Sequence, residues 1–198
     1  MTWVLAVERA YVTAATGGRA SPVAIDANRD ADRPRALGAL GAIASHYLAV
    51  GTPRSFALVV DGTPDAAVAA RASLEAHRTW FQPRDLRVAG DAALAVALGA
   101  ASVPVAEALA ADIVCVHAPL TITAAALRRG THVNVLAPAQ LDDDLRRLAT
   151  IVHEVPGLGA LAAGLVDGRQ LDELTVFIAG DAAIALAELR SWPPSPSR

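Results

Sequence analysis

The sequence predicts an α/β fold with a doubly wound parallel sheet, because short apolar runs alternate with segments of helical periodicity. Residues 55–60 form a nearly continuous apolar run, as expected of a strand that is buried on both faces. Residues 85–89, 112–116 and 132–136 repeat this pattern, and helical segments separate them. Since 54% of the residues are apolar and only 4% are aromatic, we expect a core of Ala, Val and Leu.

The N-terminal region predicts a β-hairpin followed by a helix. Residues 2–8 and 22–26 have the composition of strands, and Thr16-Gly17-Gly18 gives a turn signal between them. Pro34 is well placed to open a helix that continues to Ala49, where Gly51-Thr52-Pro53 ends it.

The order of these segments predicts three regions of the chain. Residues 34–154 are expected to form the Rossmann-like, nucleotide-binding type of domain. A reduced second lobe, of the kind used for dimerisation and substrate binding, is expected from residues 1–33 and 155–190, which include a strand at 174–178 and a final helix. The Pro- and Ser-rich residues 191–198 predict a disordered tail. Further helices are expected at 64–80, 105–110 and 123–128.

Charge and hydropathy exclude several classes of protein. The net charge is -3 and no basic cluster exceeds a pair such as Arg128-Arg129, so we expect neither nucleic-acid nor membrane binding. The longest uncharged stretch, 92–106, is too short to span a bilayer. The first eight residues lack a basic n-region, so we expect a cytoplasmic protein. Cys115 lies in an apolar run and is interpreted as a buried core residue.

No residue pattern predicts a metal site. Asp142-Asp143-Asp144 could in principle bind a cation, but consecutive carboxylates on a helix point in different directions. Their place before Leu145-Arg146-Arg147 favours stabilisation of a helix dipole. The five histidines show no metal-ligand spacing.

The loop after residues 55–60 occupies the place of a dinucleotide-binding loop. The pattern G-x-G-x-x-G/A allows backbone to approach a pyrophosphate, but here the three positions hold Asp61, Thr63 and Ala66, with Gly62 out of phase. Two carboxylates, Asp61 and Asp65, would repel phosphate. Two interpretations stay open: a plain connection in which Asp61 or Thr63 caps the helix, or a cofactor site.

Three further residues are candidates for this site. Asp91 ends the second strand region, where an acid could hold a ribose, although an N-cap role explains it equally well. His117 follows a strand, where such folds bind ligands, and is a candidate acid/base; the alternative is a histidine bonded to backbone at the sheet edge. Asn134 is a candidate cofactor contact, and with His132 it is expected to brace the strand and the following loop.

Four stretches resemble the ornithine cyclodeaminase, mu-crystallin, alanine dehydrogenase and imine reductase family. Residues 35–49 are similar to the family helix that ends in Y-L-A. Ala111-Asp112-Ile113-Val114 resembles its A-D-I-V strand, and residues 130–134 resemble its G-T-H-[VI]-N. Residues 172–177, followed by Gly180 and Ala183, resemble its closing D-E-[IL]-T-[VL]-F motif. The resemblance implies a Rossmann-like fold, an NAD(P) cofactor and a homodimer.

Five departures from the family pattern bear on activity. The family's N-terminal part, with a substrate-contacting lysine, has no counterpart here. Arg35 lies one position away from the arginine that holds the substrate carboxylate. The loop at 135–140 lacks the catalytic aspartate, and Val116-His117-Ala118 replaces a Thr/Ser pair. The glycine loop is altered as well.

Two main hypotheses follow. The first is a divergent family member without catalysis, with no cofactor, that binds a protein or small ligand on its scaffold as a homodimer or paired with a full-length paralogue. The second is an NAD(P)-dependent oxidoreductase or cyclodeaminase acting on an amino, imino or keto acid, with Asp91 at the ribose and His117 as acid/base. A nucleotide sensor without turnover is a third. An open crevice between Asp61-Thr63 and His117 would favour the enzyme.

Overall fold

The computed structural model describes residues 3–8, 11–16, 19–24, 33–49, 52–78, 81–153 and 173–179. The first three segments are strands β1 (Trp3–Glu8), β2 (Tyr11–Thr16) and β3 (Arg19–Ala24), which pair antiparallel in the order β1-β2-β3. The sequence predicted only one hairpin here, and that prediction was wrong because β2 was missed. The sequence between β1 and β2 contains no Gly, Pro or Asn, whereas Gly17-Gly18 lies between β2 and β3.

The remaining elements follow the alternation of strands and helices that the sequence predicted. They are α1 (Arg33–Leu48), β4 (Ser55–Val60), α2 (Pro64–Arg78), β5 (Asp85–Ala89), α3 (Ala92–Leu98), β6 (Ala101–Ser102), α4 (Val105–Ala108), β7 (Ile113–His117), β8 (Thr121–Ile122), β9 (His132–Val135), β10 (Gln140–Leu141), α5 (Asp143–Leu148), β11 (Ala149–His153) and β12 (Leu174–Ile178). The helix predicted at 123–128 is instead a single 3-10 turn, Ala124–Ala126.

Seven of the described strands form one parallel sheet in the order β6-β5-β4-β7-β9-β12-β11. The chain runs outward in one direction from β4 to β6 and in the other direction from β7 onward. The strand order therefore reverses between β4 and β7, as in doubly wound folds. This arrangement confirms the predicted Rossmann-like fold class.

Strand β12 lies inside this sheet, between β9 and β11. We had expected residues 174–178 in a separate second lobe, and for this strand the expectation was wrong. The physical reason is visible in the segment itself: Thr175, Val176 and Phe177 are buried, which suits an interior strand covered on both faces. The other residues assigned to the C-terminal part of that lobe, 155–172 and 180–190, and the tail 191–198 lie outside the described residues, so the two-lobe division stays a prediction.

The strands bury alternate side chains on opposite faces of the sheet. On β4, Phe56, Leu58 and Val60 pack with residues of α1 and α2. Ala57 and Val59 pack on the opposite face, with residues that include Leu109 at the end of α4 and Leu145 in α5. A sheet with two covered faces explains why β4 and β7 read as continuous apolar runs. Burying each large side chain contributes roughly 1.5–3 kcal/mol.

Helices α1 and α2 lie against each other on the same face of the sheet. A Cβ built on Gly38 would lie 2.8 Å from the backbone carbonyl of Ala72, so the two helix backbones are in direct contact there. This contact brings Ser45 of α1 close to the buried face of α2, where Ser73 and His77 lie.

Candidate functional site

Most of the predicted site residues meet at the carboxyl edge of the sheet. Asp61, Gly62 and Thr63 connect β4 to α2, and Asp91 follows β5. His117 is the last residue of β7 and lies opposite Val60 in the strand register, at the point where the strand order reverses. In doubly wound folds this is where ligands bind.

The side chain of Asp61 folds back on its own loop. Its Oδ1 accepts hydrogen bonds from the Thr63 N–H at 3.0 Å and from the Thr63 hydroxyl at 2.6 Å. These bonds from Thr63 favour the carboxylate and lower the pKa of Asp61. Thr63 Oγ1 in turn accepts from the Ala66 N–H at 3.3 Å, so it caps α2. The loop therefore satisfies two of its own backbone donors and carries an exposed negative charge.

Two glycines hold the β4 and β5 loops close together. Gly90 has φ +94°, and a Cβ built on it would lie 1.9 Å from the Val60 carbonyl oxygen. Gly62 has φ +80° and lies against the Gly90 carbonyl oxygen, at 3.4 Å from a built Cβ. Only glycine fits these backbone conformations without strain. The two glycines thus allow the end of β4 to lie close to the end of β5.

Asp91 is the N-cap of helix α3. Its Oδ1 accepts from the Leu94 N–H at 2.9 Å, and its backbone is extended, as in a typical cap. The sequence left this role and a ribose-binding role open. The observed bond accounts for one carboxylate oxygen of Asp91.

His117 is buried beneath helix α2, with 4% of its surface exposed. Its Nε2 shares a hydrogen bond with the Ser73 hydroxyl at 3.0 Å, so the expectation of a backbone-bonded histidine was wrong about the partner. The partner differs because His117 points from β7 onto the face covered by α2. Burial, followed by the nearby His77, lowers the pKa of His117 to about 4. At neutral pH the ring is uncharged, and a base of this pKa is weak.

Asn134 lies in the core under α1 and α2 and is fully buried. Its Nδ2 donates to the Ser45 hydroxyl at 2.8 Å, and its Oδ1 faces His132 Nε2 at 3.1 Å. The structure therefore does not bring Asn134 to the edge where Asp61, Gly62 and Thr63 lie. Its amide is occupied by protein partners on both sides.

The sequence predicted that His132 and Asn134 brace the strand and the following loop, whereas the contacts of the G-T-H-V-N segment join β9 to β12 and to α1. His132 Nδ1 lies 2.9 Å from the Thr175 hydroxyl, which links β9 to β12. Thr175 also contacts the Leu48 carbonyl at the end of α1, at 3.1 Å. Thr131 donates to the Ala111 carbonyl at 3.0 Å. These side chains join α1, β9 and β12, and each is buried.

Three residues of this polar cluster were missed in the sequence: Ser45, Ser73 and His77. The Ser45 hydroxyl lies 2.9 Å from His77 Nε2, and His77 Nδ1 lies 2.7 Å from the Ser73 carbonyl. All three are fully buried. The available signal was the spacing of Ser73 and His77, since positions four apart share one helix face with Ala70 and Ala66.

The A-D-I-V segment is also structural. Asp112 Oδ2 accepts from the Arg54 N–H, the Ser55 N–H and the Ser55 hydroxyl at 2.8, 2.9 and 2.9 Å, and Arg128 pairs with its other oxygen. Partial burial opposes ionisation, but these bonds and Arg128 together lower the pKa of Asp112. Asp112 thus joins the amino ends of β4 and β7, at the opposite edge from the candidate site.

Cysteine and metal predictions can be compared with the described part of the chain. Cys115 is fully buried, as predicted, and burial raises the pKa of its thiol to about 12. Asp142 caps α5 by accepting from the Leu145 N–H at 2.7 Å. No group of three or more His, Cys, Asp or Glu in the described segments could hold a metal ion. No helix there is long and apolar enough to cross a membrane.

No protein-family model and no curated protein sequence matches the chain. Solved structures do. The Δ1-pyrroline-2-carboxylate reductase of Thermococcus litoralis, solved with NADH and L-proline, is 19% identical with a TM-score of 0.62, over 91% of this chain and 70% of that chain. The iminosuccinate reductase of Paracoccus denitrificans, solved with NAD+, is 22% identical with a TM-score of 0.59, over 91% and 70%. A probable ornithine cyclodeaminase from Bordetella pertussis Tohama I is 19% identical with a TM-score of 0.61, over 92% and 78%.

The chain has the fold of the ornithine cyclodeaminase and mu-crystallin family. This finding confirms the resemblance read from the sequence at the level of the fold. Within that fold, the family-like stretches at 111–114 and 130–134 hold strands together, as described above. In this chain these residues therefore have structural roles.

Proposed function

We propose that the chain is a divergent protein of the ornithine cyclodeaminase and mu-crystallin fold that acts as a binding scaffold and does not turn over a substrate with a nicotinamide cofactor. The observation that carries this proposal is the Asp61 carboxylate, which accepts both donors of Thr63 in the loop between β4 and α2. That loop is where a dinucleotide would need free donors.

Both the hydrogen bonds and the charge of this loop oppose the binding of a pyrophosphate. A pyrophosphate at a helix N-terminus binds to backbone N–H groups and benefits from the positive end of the helix dipole. Here the N–H groups of Thr63 and Ala66 are bonded to side chains of the loop itself. The ionised Asp61 and the neighbouring Asp65 would also repel the phosphates. The residues present therefore do not fit a dinucleotide.

The state of His117 supports the same proposal. An acid/base catalyst works best with a pKa near the operating pH and needs access to the substrate. His117 has a pKa of about 4 and is almost completely buried against Ser73. We propose that the partner of the scaffold is a second copy of the chain, in an isologous homodimer, or a full-length paralogue. Sedimentation velocity with and without such a paralogue tests this part.

The deciding experiment is calorimetric and thermal-shift titration with NAD(H) and NADP(H) at millimolar concentration. A ligand of the native state raises the unfolding midpoint by mass action. We expect no shift for the natural chain. The double variant Asp61→Gly/Thr63→Gly removes the carboxylate and restores glycine at both positions of the motif, and we expect it to gain a measurable shift. Asp65→Asn serves as a control, because it removes a nearby charge without freeing the Thr63 N–H.

A second candidate function is that of an NAD(P)-dependent oxidoreductase or cyclodeaminase acting on an amino, imino or keto acid. It is favoured by two similar structures, which are reductases solved with NADH and NAD+. A clear shift of the natural chain with one dinucleotide would overturn the scaffold proposal. Turnover of imino or keto acids with that cofactor would then separate the enzyme from a nucleotide sensor.

A further inference from the structure

Helix α2 is fixed to the sheet and to α1 by a cluster of buried polar side chains, which we define as Ser45, Ser73, His77, His117 and Asn134. All but His117 are fully buried, and His117 is 4% exposed. The bonds run from His117 to the Ser73 hydroxyl, from His77 to the Ser73 carbonyl, and from His77 through Ser45 to Asn134. One cluster therefore joins α1, α2, β7 and β9.

The bonds of His77 define which nitrogen carries its proton. Nδ1 lies 2.7 Å from the Ser73 carbonyl oxygen, which can only accept, so Nδ1 carries the hydrogen. In a neutral ring Nε2 must then accept, and the Ser45 hydroxyl donates to it at 2.9 Å. Asn134 Nδ2 donates to Ser45 in its turn. A second proton on Nε2 would remove the acceptor that the Ser45 hydroxyl uses, and the Gly41 carbonyl, whose bond favours the protonated ring, offsets the cost of burial only in part.

No counter-charge faces these two histidines in the described part of the chain. The groups against His77 are the Phe56 ring of β4 at 4.8 Å between centroids, the Phe81 ring at 6.2 Å and the Cys115 thiol of β7 at 3.8 Å, besides Ser45, Ser73 and Asn134. A carbonyl of α1, that of Gly41, also bonds to it. For His117 the partners are Ser73 and, through charge, His77. The titratable members of this environment are the Cys115 thiol, which is neutral at physiological pH, and His132 beyond Asn134.

We propose that this two-histidine cluster is an acid-sensitive latch, and that its protonation releases helix α2, with the loop at Asp61–Thr63, from the sheet. Two imidazoles that share the Ser73 residue cannot both gain a charge in an unpaired, buried setting without large cost. Because α2 begins directly after Thr63, loss of these bonds moves the loop that forms the candidate site. The latch is independent of whether that loop binds a ligand.

The direction of the pH dependence follows from linkage. The pKa of each histidine is lowered from 6.5 to about 4 by burial, so the unfolded or open state binds protons first. Stability is complete above about pH 7 and falls as the pH decreases from 6.5 towards 4. At pH 5 the linkage relation gives an increase of about 30-fold in the unfolding constant for each histidine.

The first test is an NMR titration of the imidazole signals of the natural chain between pH 8 and 5. We expect the signals of His77 and His117 to stay constant over this range, because both rings are buried and have a pKa of about 4. Titration of His77 and His117 near pH 6.5 in the folded chain would overturn the proposal. This measurement needs no variant, so it cannot fail through loss of folding.

The second test compares urea unfolding at pH 7.5 and 5.0 with hydrogen exchange of the α2 backbone. The variant His117→Gln removes one titrating group. We expect the ratio of its unfolding constants at pH 5.0 and pH 7.5 to be about 30 times smaller than the same ratio for the natural chain. Gln140→Ala, at an exposed position of β10 and without a titrating group, is the control and should keep the full increase. Exchange in residues 64–78 should accelerate on acidification, beyond the intrinsic pH effect, before exchange in β4 and β7. Equal acceleration in all three elements would contradict release of α2 and leave only global unfolding.

Discussion

The Ser45 hydroxyl oxygen lies 2.8 Å from the Asn134 side-chain nitrogen, although 89 residues separate the two in the chain. The bond joins α1, which precedes the sheet, to β9 near its middle. Asn134 also faces His132, so a single amide satisfies two neighbours that have no access to water. Removing one hydrogen-bonding partner of a buried polar group lowers the free energy of unfolding.

Replacing Asn134 by Ala should therefore destabilise the protein strongly. We expect a loss of about 2–4 kcal/mol, because Ser45 and His132 each lose a buried partner and a small cavity forms. Urea unfolding monitored by circular dichroism measures the change. Gln140→Ala, on an exposed position of β10, should change stability by less than about 0.5 kcal/mol. A similar small effect for Asn134→Ala would show that the bonds do not hold the sheet.

Substitutions of Gly90 and Gly99 by Ala together test how much a close backbone contact adds to the loss of stability. Both have positive φ, but a Cβ on Gly90 would overlap the Val60 carbonyl oxygen, whereas nothing lies within 4 Å of a Cβ on Gly99. We expect Gly99→Ala to cost about 1 kcal/mol from the left-handed conformation alone. Gly90→Ala should cost about 3 kcal/mol or more, since β4 and β5 must separate. Equal losses in thermal unfolding would contradict the close approach.

Asp112 should stabilise the protein in a pH-dependent way. Its folded-state pKa is lowered below the unfolded value, so its contribution is present above about pH 4 and is lost as the pH falls through the folded pKa. We expect Asp112→Ala to cost about 2 kcal/mol at pH 7 and progressively less as the pH falls below about 4, measured by urea unfolding. Asp144→Ala removes an exposed pair with Arg147 and should cost less than about 0.5 kcal/mol. If Asp112→Ala loses as much stability at low pH as at pH 7, the stabilisation by Asp112 does not depend on its negative charge.

Asp91 offers a test of its two possible roles. Asp91→Ser retains an N-cap oxygen and should keep stability within a few tenths of a kcal/mol, whereas Asp91→Ala should lose about 1 kcal/mol. The scaffold proposal predicts that neither variant changes the response of the chain to dinucleotides. A dinucleotide-induced thermal shift that disappears in Asp91→Ser would instead assign the carboxylate to a ribose.

The elements that a local pattern specifies were predicted best. The apolar run at 55–60 and the N-terminal signal of Pro34 lie in the strand and helix that the structure contains. The strand Tyr11–Thr16 was missed because no Gly, Pro or Asn separates it in the sequence from the preceding strand. The residues 174–178 were recognised as a strand, but their place beside β9 depends on pairing that no local pattern encodes.

The candidate site was predicted less completely than the fold. The capping roles of Thr63 and Asp91 could be anticipated because N-caps have a local sequence signature. The buried cluster could not, since Ser45 and His77 meet Asn134 only after α1 and α2 pack on the sheet. A serine or histidine within an Ala-rich helix looks like any polar residue until its neighbours from other elements are known.

The position of β12 has a consequence for the order in which the protein can assemble during its synthesis. Among the described strands, β11 hydrogen-bonds only to β12, although β12 is translated later. When residue 153 leaves the ribosome, β11 has no strand to pair with, and β9 still presents an open edge. When residues 174–178 insert between β9 and β11, they pair with both strands in one step. A nascent chain halted before residue 174 would therefore expose the backbone of β9 to pairing with other chains, so the risk of aggregation is greatest between the synthesis of β11 and that of β12.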